Sequence, residues 1–252
     1  MRIQVLRKIA LLALTASLLF APGSEAWIIS YQTPDGAVDG LNNPVWARAT
    51  FSSTTHDLLT IDIQNLQGNP KEIGQILTDL EFTLSNGQKT GGAINVGAFT
   101  TAQFERTIAS GGAYSDTGPA NPGWALQNDV SGGFRLCVLC SGGVGPTHGI
   151  IGPPDGSNTY TALDASLEDG STSEPFLAGL VRFQLTISGI TSDIYVNGAT
   201  FSFGPLDAAS PTECTLSCLP GLTVPEPSSL LLLGAGLVGL AGLGWRTRRP
   251  AK

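Results

Sequence analysis

The middle of the chain alternates apolar and polar residues with a period of two. In the stretch 78–84, Leu80, Phe82 and Leu84 fall on one side, with Asp79, Glu81 and Thr83 on the other. Val181, Phe183, Leu185 and Ile187 oppose Arg182, Gln184 and Thr186 in the same way, and Leu59, Ile61 and Ile63 also alternate. Successive side chains of a strand point to opposite faces, so these stretches predict half-buried strands of the antiparallel kind. A short Phe-bearing strand is expected at 199–203. Turns are signalled by Asp35-Gly36, Asn86-Gly87 and Asn197-Gly198, and by Ser-Gly-Gly triplets starting at Ser110, Ser131 and Ser141. One short helix is expected after Pro70, where Ile73, Ile76, Leu77 and Leu80 fit a 3.6-residue period. Many strands with few helices point to an all-β fold, an antiparallel β-sandwich or jelly roll.

The two ends break this pattern. Arg2, Arg7 and Lys8 precede an apolar run over 9–20 that only Thr15 and Ser17 interrupt, and Ser24-Glu25-Ala26 follows as a small-x-small site. Charge, apolar core and small residues in that order make a secretory signal peptide, read by Sec-type export machinery and cut between Ala26 and Trp27. Its apolar run is too short to span about 30 Å of hydrocarbon. At the other end, 230–245 carries no charge, and Ser228 and Ser229 extend it to the length of a short transmembrane helix. Arg246, Arg248 and Arg249 stand directly after it, which places that end in the cytoplasm.

Just before the span stands Pro225-Glu226-Pro227. Two prolines hold an extended backbone with few internal hydrogen bonds, a handle that an enzyme can read at a membrane surface. The tripeptide, the Gly- and Leu-rich span and the Arg-rich end, in this order, resemble the PEP-CTERM sorting signal. The resemblance implies a Gram-negative, exopolysaccharide-producing source and processing by an exosortase near Pro225, Glu226 and Pro227. It implies a precursor tethered at the inner membrane and a product in the cell envelope or outside the cell. It identifies the route and leaves the cargo's activity open. The chain thus divides into a signal peptide (1–26), a cargo domain (27–203), a Pro-rich tether (204–227), a transmembrane helix (228–245) and a basic cytoplasmic tail (246–252).

Charge narrows the cargo's partners. Only 13% of all residues are charged. Between the two addresses six basic residues face eighteen acids, about −12. That excludes nucleic acid as a partner, because binding phosphates needs cationic surface. It also opposes docking onto anionic polymers without divalent ions.

Candidate chemistry is sparse. Cys137, Cys140, Cys214 and Cys218 are the only cysteines. An even count in an exported chain predicts disulfides, and spacing alone leaves local bridges and long cross-links both open. Neither a four-Cys zinc site nor a thioredoxin-like motif fits the setting: the first prefers two Cys-x-x-Cys knuckles and the second a helix start. Asp116-Thr117-Gly118 matches the aspartic-protease tripeptide but has no second copy to share a proton, so a glycine-rich surface turn is expected. His56 and His148 stand far apart, outside any metal-ligand pattern, and are expected at the surface or core edge. The acid-rich turns Asp155-Gly156-Ser157-Asn158 and 164–169 could hold calcium through oxygen ligands, although neither has the regular spacing. No metal or other cofactor is otherwise expected, and no catalytic residue is identified. Trp27, Tyr31, Trp46 and Trp124 could form a sugar-stacking platform. The expectation is a non-enzymatic structural or adhesive protein of the exopolysaccharide matrix, with a lectin-like glycan-binding module and a secreted hydrolase as alternatives.

Overall fold

A computed structural model describes residues 27–95, 103–118, 123–138, 140, 148–168, 174–191, 193–204, 214–217 and 219–220, all within one compact unit. The segments expected as signal and membrane helices, and the Pro225-Glu226-Pro227 motif, lie outside these residues. Among the described residues no helix is long and apolar enough to cross a membrane.

The described chain is all-β. It runs through β1 (Trp27–Gln32), β2 (Ala47–Thr55), β3 (Leu58–Asn65), β4 (Leu77–Leu84), β5 (Gly92–Ile94), β6 (Gln103–Ile108) and β7 (Tyr114–Thr117). It continues with β8 (Ala125–Val130), β9 (Gly133–Cys137), β10 (Ile150–Ile151), β11 (Phe176–Gly179) and β12 (Val181–Ile187). β13 (Val196–Phe203), β14 (Cys214–Ser217) and β15 (Leu219–Pro220) complete it. One sheet has the order β15-β1-β2-β3-β12-β5, and the other runs β14-β13-β4-β10-β11-β6-β7, with the β8–β9 hairpin joined to β4.

The period-two stretches became the central strands. β12 pairs with β3 and β4 with β13, all antiparallel. Their apolar sets point inward to a shared core. Phe51 of β2 meets Phe82 of β4 at a centroid distance of 5.4 Å, and Phe82 stacks on Phe134 of β9, also at 5.4 Å. Offset and tilted aromatic pairs add about 0.5–1.5 kcal/mol each beyond their buried area. Tyr31 reaches across from β1 to donate its hydroxyl to the Val196 carbonyl of β13 at 2.9 Å.

Three local expectations change. The helix after Pro70 is only a 3-10 turn, Ile73–Gln75, and Leu77 and Leu80 belong to β4. Buried Asn65 holds that turn in place, donating to the carbonyls of Gln75 (2.8 Å) and Ile150 (2.9 Å). The sheets are not purely antiparallel, since β10 runs parallel to β11. Asn197-Gly198 makes no turn; it lies within β13, where the register with β4 slips between Val196 and Gly198. By contrast, Ser110-Gly111-Gly112 turns between β6 and β7. Gly112 has φ +84° there, and a Cβ would sit 1.8 Å from the Tyr160 carbonyl oxygen, so only glycine fits.

The stretch expected as a tether also holds sheet structure. β14 pairs with β13 and β15 pairs with β1. The last strands therefore lie at one edge of each sheet.

Candidate functional site

The four aromatics expected as a sugar platform are not brought together. Trp27, Tyr31 and Trp124 are buried, at 7%, 3% and 4% exposure, while Trp46 is 49% exposed. Trp124 packs on Phe183 at 5.3 Å and donates Nε1–H to the His148 carbonyl at 2.7 Å, as a core indole does. Only Trp46 is left to meet a ligand from outside.

Trp46 continues the outward-facing set of β2. Ala47, Ala49 and Phe51 are fully buried while Arg48, Thr50 and Ser52 face out. The register carries this face across three neighbouring strands in rows. One row is Ser30, Thr50, Asp62 and Arg182, and the next is Ile28, Ser52, Thr60 and Gln184. Gln32, Arg48 and Gln64 form the third, nearest Trp46. Ser30 and Thr50 share a hydroxyl hydrogen bond of 2.9 Å. Arg182 forks onto Asp62 through Nε (2.5 Å) and Nη2 (2.6 Å), which neutralises both. Arg48 donates Nη2–H to Gln64 Oε1 at 2.9 Å and forms no ion pair among the described residues, the neighbouring Asp62 being taken by Arg182. The result is a face of hydroxyls and amides with one arginine outside any ion pair and one exposed indole. Which of the four aromatics faces out was not readable in the sequence, and neither was the neighbourhood of Arg48, because both depend on strand parity and register.

Other carboxylates are mostly committed to holding the fold. Asp116, of the Asp-Thr-Gly tripeptide, sits on strand β7 rather than in a turn and pairs with Arg106 at 2.7 Å. Asp79 pairs with Arg135, and Lys89 with Asp129 at 2.6 Å. A groove of about 230 Å³ opens on the second sheet among Glu81, Thr83, Ser131 and Thr200. Its one carboxylate, Glu81, lies 3.7 Å from Arg135.

Of the two turns considered for calcium, the first and the described part of the second are held by their own hydrogen bonds, and Asp169 lies outside the described residues. Asp155 Oδ1 accepts from the backbone N–H and hydroxyl of Ser157, and Oδ2 from the Thr161 hydroxyl at 2.8 Å. The Ser157 hydroxyl, then its backbone N–H, holds the Asp155 carboxyl below its ordinary pKa. Asp164 Oδ1 accepts from Ser166 in the same way. Among the described residues no cluster of His, Cys, Asp and Glu is arranged to hold a metal ion. Asp39 is buried and accepts from the N–H groups of Leu41 (2.9 Å) and Asn43 (2.8 Å). Asn43 in turn donates to Glu72, whose carboxyl is raised by burial and then by the charges of Asp39 and Asp164.

The histidines part company. His56 is exposed beside Asp57 at 2.9 Å. His148 is buried, with Nε2 3.0 Å from Glu105 Oε1. Burial pushes its imidazole below the ordinary value, against the pull of Glu105. Of the four cysteines, Cys137 and Cys140 adjoin, with Cα atoms 5.4 Å apart, a separation suited to a bridge. Cys214 starts β14, and Cys218 lies outside the described residues.

The C-terminal end supplies the identification of class. Residues 223–249 match the PEP-CTERM protein-sorting motif. The motif marks an exosortase-targeted chain, exported by way of a membrane-anchored precursor. No curated protein and no solved structure matches the sequence.

Proposed function

We propose that this chain is a non-enzymatic structural or adhesive protein of the extracellular matrix, delivered by exosortase processing and built on an acidic β-sandwich. The observation that carries the reading is the sorting motif at 223–249, directly behind a domain of two β-sheets packed on one core. Its buried carboxylates support a structural role. Asp79 faces Arg135 and Asp39 caps its own turn, so neither is free to serve as an acid or base in a cleft. Carboxyl pairs that cleave glycosides need an open site with room for the sugar between them. The exposure of Trp46 favours a second reading, a glycan-binding module, and the two are compatible in an adhesive matrix protein.

The test is expression in a host with and without its exosortase, followed by growth as a matrix-forming film. The chain should accumulate in the matrix only when the exosortase is present. A deletion strain should lose film cohesion while retaining every hydrolytic activity of the parent. Loss of a polysaccharide-cleaving activity in that strain would replace the structural reading with an enzymatic one.

A further inference from the structure

We infer that the outer face of β1, β2, β3 and β12 binds a neutral polysaccharide, with Trp46 as the stacking anchor and Arg48 as the donor beside it. The inference rests on the adhesive reading and specifies the polymer class and the face. Trp46 and Arg48 lie two residues apart on one side of the same extended segment, so their Cα atoms are about 7 Å apart. The indole offers a flat apolar surface to the C–H face of a pyranose ring. Arg48 spends one N–H on Gln64 and keeps its other donors for ring hydroxyls. Beyond them lie Ser30, Thr50 and the neutralised Asp62–Arg182 pair, a surface of paired donors and acceptors.

Charge selects the polymer. The exported segment carries about −12, so a polyanion is repelled at long range, and a single Arg48 does not reverse that. A protein partner would be expected to meet a larger apolar patch. Among the described residues of these strands and Trp46 itself, the exposed large apolar side chains are Trp46 at one corner and Ile28, 39% exposed, three rows away. An uncharged polyhydroxyl chain suits a hydroxyl-rich and nearly neutral face best.

The experiment is affinity electrophoresis of the full chain in neutral detergent through gels containing dextran, galactomannan or hydroxyethylcellulose, with polygalacturonate as the anionic control. At least one neutral polymer should retard the wild type, and polygalacturonate should not. Trp46→Ala should weaken the apparent affinity tenfold or more, and Arg48→Gln three- to tenfold. Trp46→Phe should recover most of the loss, and 0.5 M NaCl should change the wild-type value less than twofold. Both side chains are exposed, so urea midpoints should stay unchanged; a variant that unfolds is replaced by Trp46→Gln or Arg48→Met, read on the same gels with the same expected losses. Binding to a neutral polymer that ignores both substitutions would place the site elsewhere and leave the adhesive reading standing. No binding to any neutral polymer, salt-sensitive binding to polygalacturonate, or capture of a protein through this face would each overturn the inference. Failure of matrix delivery in the exosortase test is a separate result and bears on the function itself.

Discussion

Arg106 of β6 grips Asp116 of β7 with two parallel hydrogen bonds, Nε to Oδ1 and Nη2 to Oδ2, both 2.7 Å. The same guanidinium donates to the Tyr160 hydroxyl at 2.9 Å and lies 3.9 Å above the Tyr114 ring. Tyr160 passes the chain of bonds to the Gly152 carbonyl at 2.7 Å, and burial pushes its phenol up to about 12. One side chain thus ties an edge hairpin to the 150–160 loop. Arg106→Lys keeps the charge but loses the fork and should cost about 1–2 kcal/mol, while Arg106→Ala should cost about 3 kcal/mol. Urea unfolding measures both; a loss below about 0.5 kcal/mol for the alanine variant would show the network to be incidental.

His148 makes stability depend on pH. Its folded-state pKa lies below the unfolded value near 6.5, mainly through burial. Between those two values the unfolded chain binds more protons. The stabilisation is therefore complete above about pH 6.5 and is lost as pH falls toward the folded pKa, by at most about 1.4 kcal/mol per pH unit. Glu105 at 3.0 Å and the Pro175 carbonyl moderate the effect. His148→Gln should flatten the urea-midpoint profile between pH 6.5 and 5 relative to wild type. Parallel profiles would rule out this histidine as the source.

The alternating strands were legible because each buries only one face. Where both faces are covered, periodicity misleads. At the start of β4, Leu77, Thr78, Asp79 and Leu80 are all buried, so Ile73, Ile76, Leu77 and Leu80 matched a helical period by coincidence. Asn197-Gly198 carries a turn composition yet sits at a strand irregularity, since glycine serves either purpose. The parallel pair Ile150–Ile151 with β11 is too short to have a period. Of the aromatic set, sequence could not say which members face out; strand parity and register decide that Trp46 does and Trp27 does not.

Strand register bears on the cysteines. Cys137 lies opposite Asp79, Asp79 opposite Ser202, and Ser202 opposite Thr215, the neighbour of Cys214. Three strand spacings separate Cys137 from that row, roughly 14 Å. Cys140 is 5.4 Å from Cys137 between Cα atoms, so it too stays beyond the 7 Å reach of a bridge to β14. Peptide mapping of the unreduced protein should find Cys137 joined to Cys140 and no peptide linking either to Cys214. A peptide containing Cys137 or Cys140 crosslinked to Cys214 would contradict the register.

Two truncations separate tail from fold. Removing 224–252 leaves β14 and β15 in place and should leave the urea midpoint unchanged. Removing 205–252 strips the backbone partners of β13 and β1 and should cost roughly 2–4 kcal/mol, at about 1 kcal/mol per net hydrogen bond. Equal stability of the two would show that the segment 205–223 only tethers.

The most direct measurement of the whole account is the intact mass of the mature protein from a host that has its exosortase. The mature chain should start at Trp27, end close to Pro225-Glu226-Pro227 and be absent from the membrane fraction. Replacing Pro225 and Pro227 by Ala should leave a membrane-bound species that still extends to Lys252. A wild-type product that retains Met1, or a double variant trimmed and released as the wild type is, would contradict it.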